Sequence, residues 1–486
     1  MSTMQYDKFY IGGEWRNAAT SNRIDVHSAT TEEQIGYVPE GSEADIDAAV
    51  DAARQAFDGP DAWSTWEPAR RQEVLLRFAD ELEARSDETA RRVALQNGMP
   101  MIVALQFEKI FPALLLRYYS QLVVDQAEER RPGMLGGTAV VRREPIGVVG
   151  AIVPWNVPQG ITFLKVAPAL AAGCTVVLKP APETVLDAFL MAEAAEAAGL
   201  PAGVLNVVPA GREVGAYLVS HPGIDKVSFT GSTVAGRAIA ETCGRLLRPV
   251  TLELGGKSAA IVLDDADLMS NIENFFASTL LNNGQICWLG TRVLAPRSRY
   301  DEIVETVAGL ASNLVIGDPL EMTTQIGPLV SSRQRERVEG YIAKGTADGG
   351  RVVAGGGRPA DRDKGWFVQP TVFANVDPLH TIAQEEIFGP VLAVIPYADE
   401  AEAVQIANNT DYGLGGSVWT SDQERGEAFA KKVRSGTVGV NHYVNDPFAP
   451  FGGIKSSGMG RELGPEGLTA FQNLQTIYLP PAPAAN

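Results

Sequence analysis

The stretch "PIGVVGAIVP", residues 145–154, is apolar almost without a break and rich in β-branched side chains. A strand with one wet face alternates apolar and polar residues, whereas a run without alternation is covered on both faces. The same texture returns in "TVVLKP" (175–180), "VLNVVP" (204–209) and "KVSFTGST" (226–233). Between these runs lie "LDAFLMAEAAEAAGLPAG" (186–203) and "EVGAYLVSH" (213–221), which read as helices, the first ended by Gly199 and followed by Pro201. Short buried strands alternating with helices predict βαβ units and a parallel sheet, an α/β fold. Such sheets bind ligands beyond the carboxyl ends of their strands.

The pattern extends in both directions. Toward the N-terminus, "DIDAAVDAARQAF" (45–57) and "EVLLRFADELEARSDETARRVAL" (73–95) have helical apolar spacing, and "FYIGGEW" (9–15) reads as a hairpin turning at Gly-Gly. Toward the C-terminus, "AAIVLDDADL", "RYDEIVETVAGLASNLVIG" and "PVLAVIPY" repeat the alternation, which predicts a second α/β unit over about 256–438. The tail "LQTIYLPP" is β-like and runs into a Pro/Ala-rich end.

Bulk properties narrow the function classes. The 486 residues exceed one simple core, and a formal net charge of -18 disfavours nucleic acid and anionic membrane as partners. The longest apolar runs, 146–155 and 166–178, are shorter than the ~18 residues a membrane span requires. No basic-then-apolar leader opens the sequence, and Cys174, Cys243 and Cys287 form no CxxC pair or disulfide framework, so a cytoplasmic setting is expected. His27, His221, His380 and His442 are scattered, so no metal site is expected.

Several residues stand where chemistry is done. Gly231 and Ser232 follow a strand and precede a helix, where backbone N–H groups approach a phosphate; without GxGxxG spacing the same feature is also an ordinary βα turn. Lys179 ends another strand and belongs on the same crevice edge or in solvent. Glu253, in "VTLELGGKS", is flanked by Leu252 and Leu254. It is either the wet residue of an alternating strand or a carboxylate facing a cavity, where a raised pKa suits a general base. Asn156 sits in a Pro-bracketed loop suited to presenting an amide donor. Cys287, in "NNGQICWLG" (282–290), is flanked by apolar Ile286 and Trp288 but preceded by a turn-like polar run. Either core packing or a nucleophile on a flexible loop fits that context, whereas Cys174 and Cys243 read as buried structural cysteines.

"PWN", "KPA", "FTGST", "LELGGKS", "NNGQIC", "EEIFGP" and "PFAPFGGIKSSGMGRELG" occur in the order and spacing of the aldehyde dehydrogenase superfamily, with "FYIGGEW" in place at the start. The chain resembles that family over nearly its whole length. The resemblance implies a Rossmann-like cofactor domain without GxGxxG (1–127 and 144–255), an α/β catalytic domain (256–438) and a small β oligomerisation arm (128–143 and 464–486). Residues 439–463 would return to the cofactor-domain side, and the assembly would be a homodimer or homotetramer.

By the same resemblance Cys287 is the nucleophile that forms a thiohemiacetal and then a thioester with an aldehyde. Asn156 and the Cys287 amide form the oxyanion hole, Glu253 activates the hydrolytic water, and Lys165 supports the catalytic region. The cofactor is NAD. Lys179 binds the adenosine ribose, Gly231 and Ser232 the pyrophosphate, and Glu386 and Phe388 the nicotinamide ribose, with Pro154, Trp155 and Gly255 also in contact. The Glu253 carboxylate favours hydrolysis over transfer to coenzyme A. Two departures matter. Pro182 stands where many NAD-using members carry a Glu, with Glu183 next, which leaves NADP open as well. Val157, Gly160 and Leu164 stand where small-aldehyde enzymes often carry aromatics, which with Trp288 predicts medium-sized hydrophobic or aromatic aldehydes. The alternatives are a semialdehyde dehydrogenase of the same mechanism and a catalytically silent relative.

Overall fold

The computed structural model describes residues 3–481, so the Pro/Ala-rich end expected at 482–486 lies outside the described residues. The run 145–154 becomes the strand Val148–Ile152. It sits inside a sheet ordered Gly458–Met459, Val250–Glu253, Lys226–Thr230, Val148–Ile152, Thr175–Lys179, Leu205–Val207, Lys8–Ile11, Glu14–Asn17. The five strands from Val250–Glu253 to Leu205–Val207 are parallel, and the outer ones, including the predicted hairpin, are antiparallel. Both faces are covered, which explains the missing alternation. Val148, Val177, Val227 and Leu252 pack on one side, Val149, Ala151, Val176 and Leu178 on the other.

Strand order reverses between Val148–Ile152, whose chain continues to Thr175–Lys179 on one side, and Lys226–Thr230 on the other. The loops that leave the carboxyl ends of these two neighbours therefore diverge and open a crevice. This is the Rossmann-like unit.

A second sheet is ordered Arg351–Ala354, Thr371–Ala374, Val391–Tyr397, Arg292–Pro296, Ala259–Val262, Ser417–Trp419, Gly439–Val440. It is parallel apart from Arg351–Ala354. Its strands also bury both faces, with Ile261 and Leu294 on one and Val262 and Val293 on the other. A three-stranded antiparallel sheet of Glu129–Pro132, Thr138–Pro145 and Gln472–Leu479 stands apart, as expected of an arm.

Two expected boundaries move. Gly439–Val440 still pairs with Ser417–Trp419, so the second unit continues past 438 before Gly458–Met459 joins the first sheet. Residues 464–469, expected in the arm, form the helix Gly464–Thr469, which packs on the helices Pro158–Ala172 and Phe111–Val124. Leu463, Leu468 and Phe471 are buried there, so the arm strand starts only at Gln472.

Between the helices Pro68–Asn97 and Phe111–Val124 the chain forms a π-helical turn, Leu105–Ile110. Pro112 has no N–H to offer the Glu108 carbonyl four residues earlier, so the regular ladder is interrupted where the turn widens.

Candidate active site

The crevice at the strand reversal is an open groove. Pro154, Trp155 and Asn156 line it from the loop after Val148–Ile152, and Gly231 and Ser232 from the loop after Lys226–Thr230. Ser232 caps the helix Thr233–Arg245, its side chain accepting from the Ala235 amide at 3.3 Å. The positive end of that helix is thereby set at the groove edge, an anion site by geometry. Gly255, Glu386 and Phe388 line the opposite wall. Glu386 accepts the Gly256 amide at 3.0 Å, and burial raises its carboxyl to about 7, with that amide the main opposing influence. Phe388, at φ +62°, meets Trp155 edge-on with ring centroids 5.3 Å apart. Apolar Phe229, Ala235 and Leu254 complete the walls. A groove that combines apolar side chains, a helix N-terminus and a buried carboxylate fits a dinucleotide.

Cys287 stands at the inner end of this groove. The polar run before it is not the flexible loop expected from sequence. Asn282, Asn283 and Gln285 are each 0 % exposed. Asn282, Asn283 and Gly284 have φ of 52°, 61° and 73°, a left-handed path that Asn and Gly tolerate best. Burial favours partnered side chains, and most of their polar atoms find partners, Asn282 Oδ1 and Gln285 Nε2 having none among the described residues. Asn282 Nδ2 donates to the Asn156 carbonyl at 3.0 Å, and Asn283 Nδ2 donates to the Gly98 and Pro328 carbonyls at 2.8 and 2.9 Å. Gln285 Oε1 accepts the Val330 amide at 3.1 Å. The run is a rigid mount, and of the three cysteines only Cys287 retains partial exposure, Cys174 and Cys243 being buried as expected. Asn156 Nδ2 donates to the Gln285 carbonyl at 2.9 Å, which fixes its amide beside the sulfur. Burial, then repulsion from Glu253 and Glu386, pushes the Cys287 thiol well above its usual range, with its own amide opposing.

Behind Cys287 lies a second, smaller pocket. Cys287 and Asn156 border both spaces. The second is walled by Phe107, Phe111, Val157, Gly160, Ile161, Leu164, Ile286, Trp288, Phe451 and Leu463, with Thr230, Glu253, Glu462 and Asn445 as its polar members. Trp288 is held by stacking on Tyr443 at 4.5 Å. Glu253 ends its strand 2 % exposed, with Leu252 and Leu254 buried against the opposite face, so the alternation is real but the polar residue meets a cavity. Neither Glu253 oxygen has a hydrogen-bond partner of good geometry among the described residues. Burial, then repulsion from Glu462, drives its carboxyl well above the usual range, against Lys165, the Gly453 amide and Arg461.

Lys165 lies just behind this wall, its Nζ 2.7 Å from Thr230 Oγ1 and 2.5 Å from Glu462 Oε1. Glu462 had no role assigned from sequence; its only signal was a carboxylate inside the motif 447–464. Lys179 is the cofactor-side candidate that does not line the groove. It ends its strand buried, donating to the Ala210 and Pro180 carbonyls at 2.8 and 3.2 Å, and burial lowers its pKa to about 8. No three His, Cys, Asp or Glu gather as a metal-holding group among the described residues.

The sequence model of the aldehyde dehydrogenase family matches residues 15–477. A geranial dehydrogenase of Castellaniella defragrans is 53 % identical over 478 residues, covering 98 % of this chain and 99 % of that one. A phenylacetaldehyde dehydrogenase of Pseudomonas fluorescens is 41 % identical over 478 residues, covering 96 % and 95 %. The crystal structure of a Mycobacterium tuberculosis aldehyde dehydrogenase complexed with NAD+ superposes with a TM-score of 0.96 at 49 % identity, each chain covered in full at 100 %. With a paired groove and pocket meeting at one cysteine, and a match that runs nearly end to end, the chain belongs to the aldehyde dehydrogenase family.

Proposed function

We propose that the protein oxidises medium-sized hydrophobic or aromatic aldehydes to carboxylic acids with NAD, using Cys287 as nucleophile and Glu253 as base. The observation that carries this reading is that Cys287 and Asn156 border both the dinucleotide groove and the apolar pocket, with Glu253 on the pocket side.

The aldehyde carbon is placed against Cys287 Sγ, whose addition gives a thiohemiacetal. The Asn156 amide and the Cys287 N–H donate to the oxygen that gains charge. Gly231, Ser232, Glu386 and Phe388 would hold NAD, which would supply the hydride acceptor that turns the thiohemiacetal on Cys287 into a thioester. Glu253 then takes a proton from water, and attack on the thioester frees the acid and restores the thiol.

Substrate choice follows from the pocket wall. Its side chains are mostly apolar and no Lys, Arg or His lines it, while Glu253 and Glu462 would repel a carboxylated tail. The relatives named for geranial and phenylacetaldehyde fit that chemistry, and an NAD+ complex of a similar structure supports the cofactor. The arm supports self-association into a homodimer or homotetramer, since Leu474 and Tyr478 expose 70 % and 82 % of their surface on its outer strand. Three free cysteines suit a cytoplasmic setting.

The test is NAD reduction with geranial, phenylacetaldehyde and succinic semialdehyde. Faster turnover of the first two is expected, with none from Cys287→Ala. A preference for the semialdehyde would overturn the substrate class.

A further inference from the structure

Glu108 sits in the π-helical turn, 1 % exposed and in no ion pair among the described residues. Its Oε2 accepts the Gln159 and Gly160 amides at 2.8 and 3.4 Å, two of the free N–H groups at the start of the helix Pro158–Ala172. Its Oε1 has no hydrogen-bond partner among the described residues. On its far side Gln159 Nε2 donates to Asp187 Oδ2 at 2.7 Å, and Gln96 Nε2 to Asp187 Oδ1 at 3.2 Å, so the carboxylate belongs to a polar network inside an apolar region.

The position of this network is what gives it a functional meaning. Phe107 and Phe111, from the same turn and the residue after it, form one wall of the apolar pocket, their rings 5.7 Å apart. Val157, Gly160, Ile161 and Leu164, at the start of the helix that Glu108 holds, form the facing wall. The two walls touch at the backbone: a Cβ on Gly160 would lie 3.1 Å from the Phe107 carbonyl oxygen and 2.9 Å from Val157 Cγ1. A regular α-turn would not widen here, and the widened turn lets adjacent residues 107 and 108 serve the pocket and the helix end respectively.

We propose that Glu108 is a positioning residue for substrate selection, fixing the distance between the Phe107/Phe111 wall and the Val157/Leu164 wall and hence which aldehydes fit. This rests on the reading that the pocket holds the aldehyde. Loss of the clamp loosens the walls, so tightly fitting aldehydes lose contact while short ones, which touch little, do not.

The experiment compares kcat and KM for propanal and phenylacetaldehyde in the whole enzyme and in Glu108→Leu, Glu108→Gln and Gly160→Ala, with NAD affinity measured alongside. For Glu108→Leu the preference for phenylacetaldehyde over propanal should fall about tenfold, through KM, with kcat on propanal and NAD affinity within about threefold. Glu108→Gln retains an acceptor for the two amides and should restore the preference to within about threefold. Gly160→Ala wedges the same walls and should lower the preference in the same direction. An unchanged preference in Glu108→Leu overturns the proposal, as does a uniform loss of kcat that Gln does not rescue. If Glu108→Leu does not fold, an unchanged preference in Gly160→Ala overturns it. Wild-type enzyme inert toward every hydrophobic aldehyde would instead refute the substrate reading itself.

Discussion

Lys165 Nζ lies 2.5 Å from Glu462 Oε1, with side-chain exposures of 0 % and 3 %. The two residues are 297 positions apart, and the pair stands directly behind Glu253, which Lys165 stabilises as an anion and Glu462 destabilises. Lys165→Met would leave Glu462 buried without its partner and should cost about 3–5 kcal/mol in chemical denaturation. It would also remove a positive influence on Glu253, whose carboxyl should rise further. The limb of the kcat–pH profile that requires ionised Glu253 should then move to higher pH. An unmoved limb would separate Lys165 from the base.

Glu253→Gln removes the proposed base and also a negative neighbour of Cys287. The first should appear as a burst of NADH followed by a stalled steady state, read by stopped-flow absorbance. The second should lower the Cys287 pKa, because Glu253 is the largest charged contributor to its elevation. Alkylation by iodoacetamide near pH 8 should therefore be faster in Glu253→Gln than in the wild type. Slower alkylation would mean that Glu253 activates the thiol more than it represses it.

Gly256→Ala should disable the enzyme without touching a reacting group. A Cβ there would fall 2.3 Å from the Cys287 carbonyl oxygen, and backbone cannot yield as a flexible side chain can. Cys287, the proposed nucleophile, would shift, and kcat should drop on the order of 10²-fold. Retained kcat would show that the mount is less rigid than its buried hydrogen bonds indicate.

Buried carboxyls set the acid–base behaviour of stability. Glu108 is pushed well above its usual range by burial, then by Asp187; Asp187 itself is raised to about 6 by burial. A raised carboxyl pKa means the folded chain holds a proton that the unfolded chain has released. That stability is present below the unfolded value and is lost as pH rises toward the folded one. Glu108→Gln, which cannot ionise, should therefore gain in Tm relative to wild type as pH rises from about 5 to 8. A difference that shrinks over that range would contradict the assignment.

The fold was readable wherever burial leaves a signature in residue type. The run 145–154 lacks alternation because Val148 and Val149 bury on opposite faces, and the hairpin 9–15 follows from its turn glycines. Glu253 was ambiguous in sequence because both an edge strand and a cavity wall alternate; only the second sheet face decides. The polar run 282–285 misled because polar residues usually signal solvent, whereas here Asn and Gly allow a left-handed backbone inside the core and the side chains bond distant backbone groups. Glu462 and Glu108 were illegible for another reason. Each gains its meaning from a distant segment, Lys165 in one case and the Pro158–Ala172 helix in the other.

The left-handed path before Cys287 has a consequence for how the enzyme ages. Asn283–Gly284 is the dipeptide most prone to deamidation, since an unhindered glycine nitrogen attacks the asparagine amide to close a succinimide. In the native state the Gly284 nitrogen is engaged with the Leu280 and Leu281 carbonyls at 3.1 Å each, and the Asn283 amide is held on both its atoms. Deamidation is thereby suppressed while the loop keeps its shape. The hydrogen bonds that mount the sulfur thus also guard the chain against this chemical ageing, a protection that lasts only while the loop stays folded.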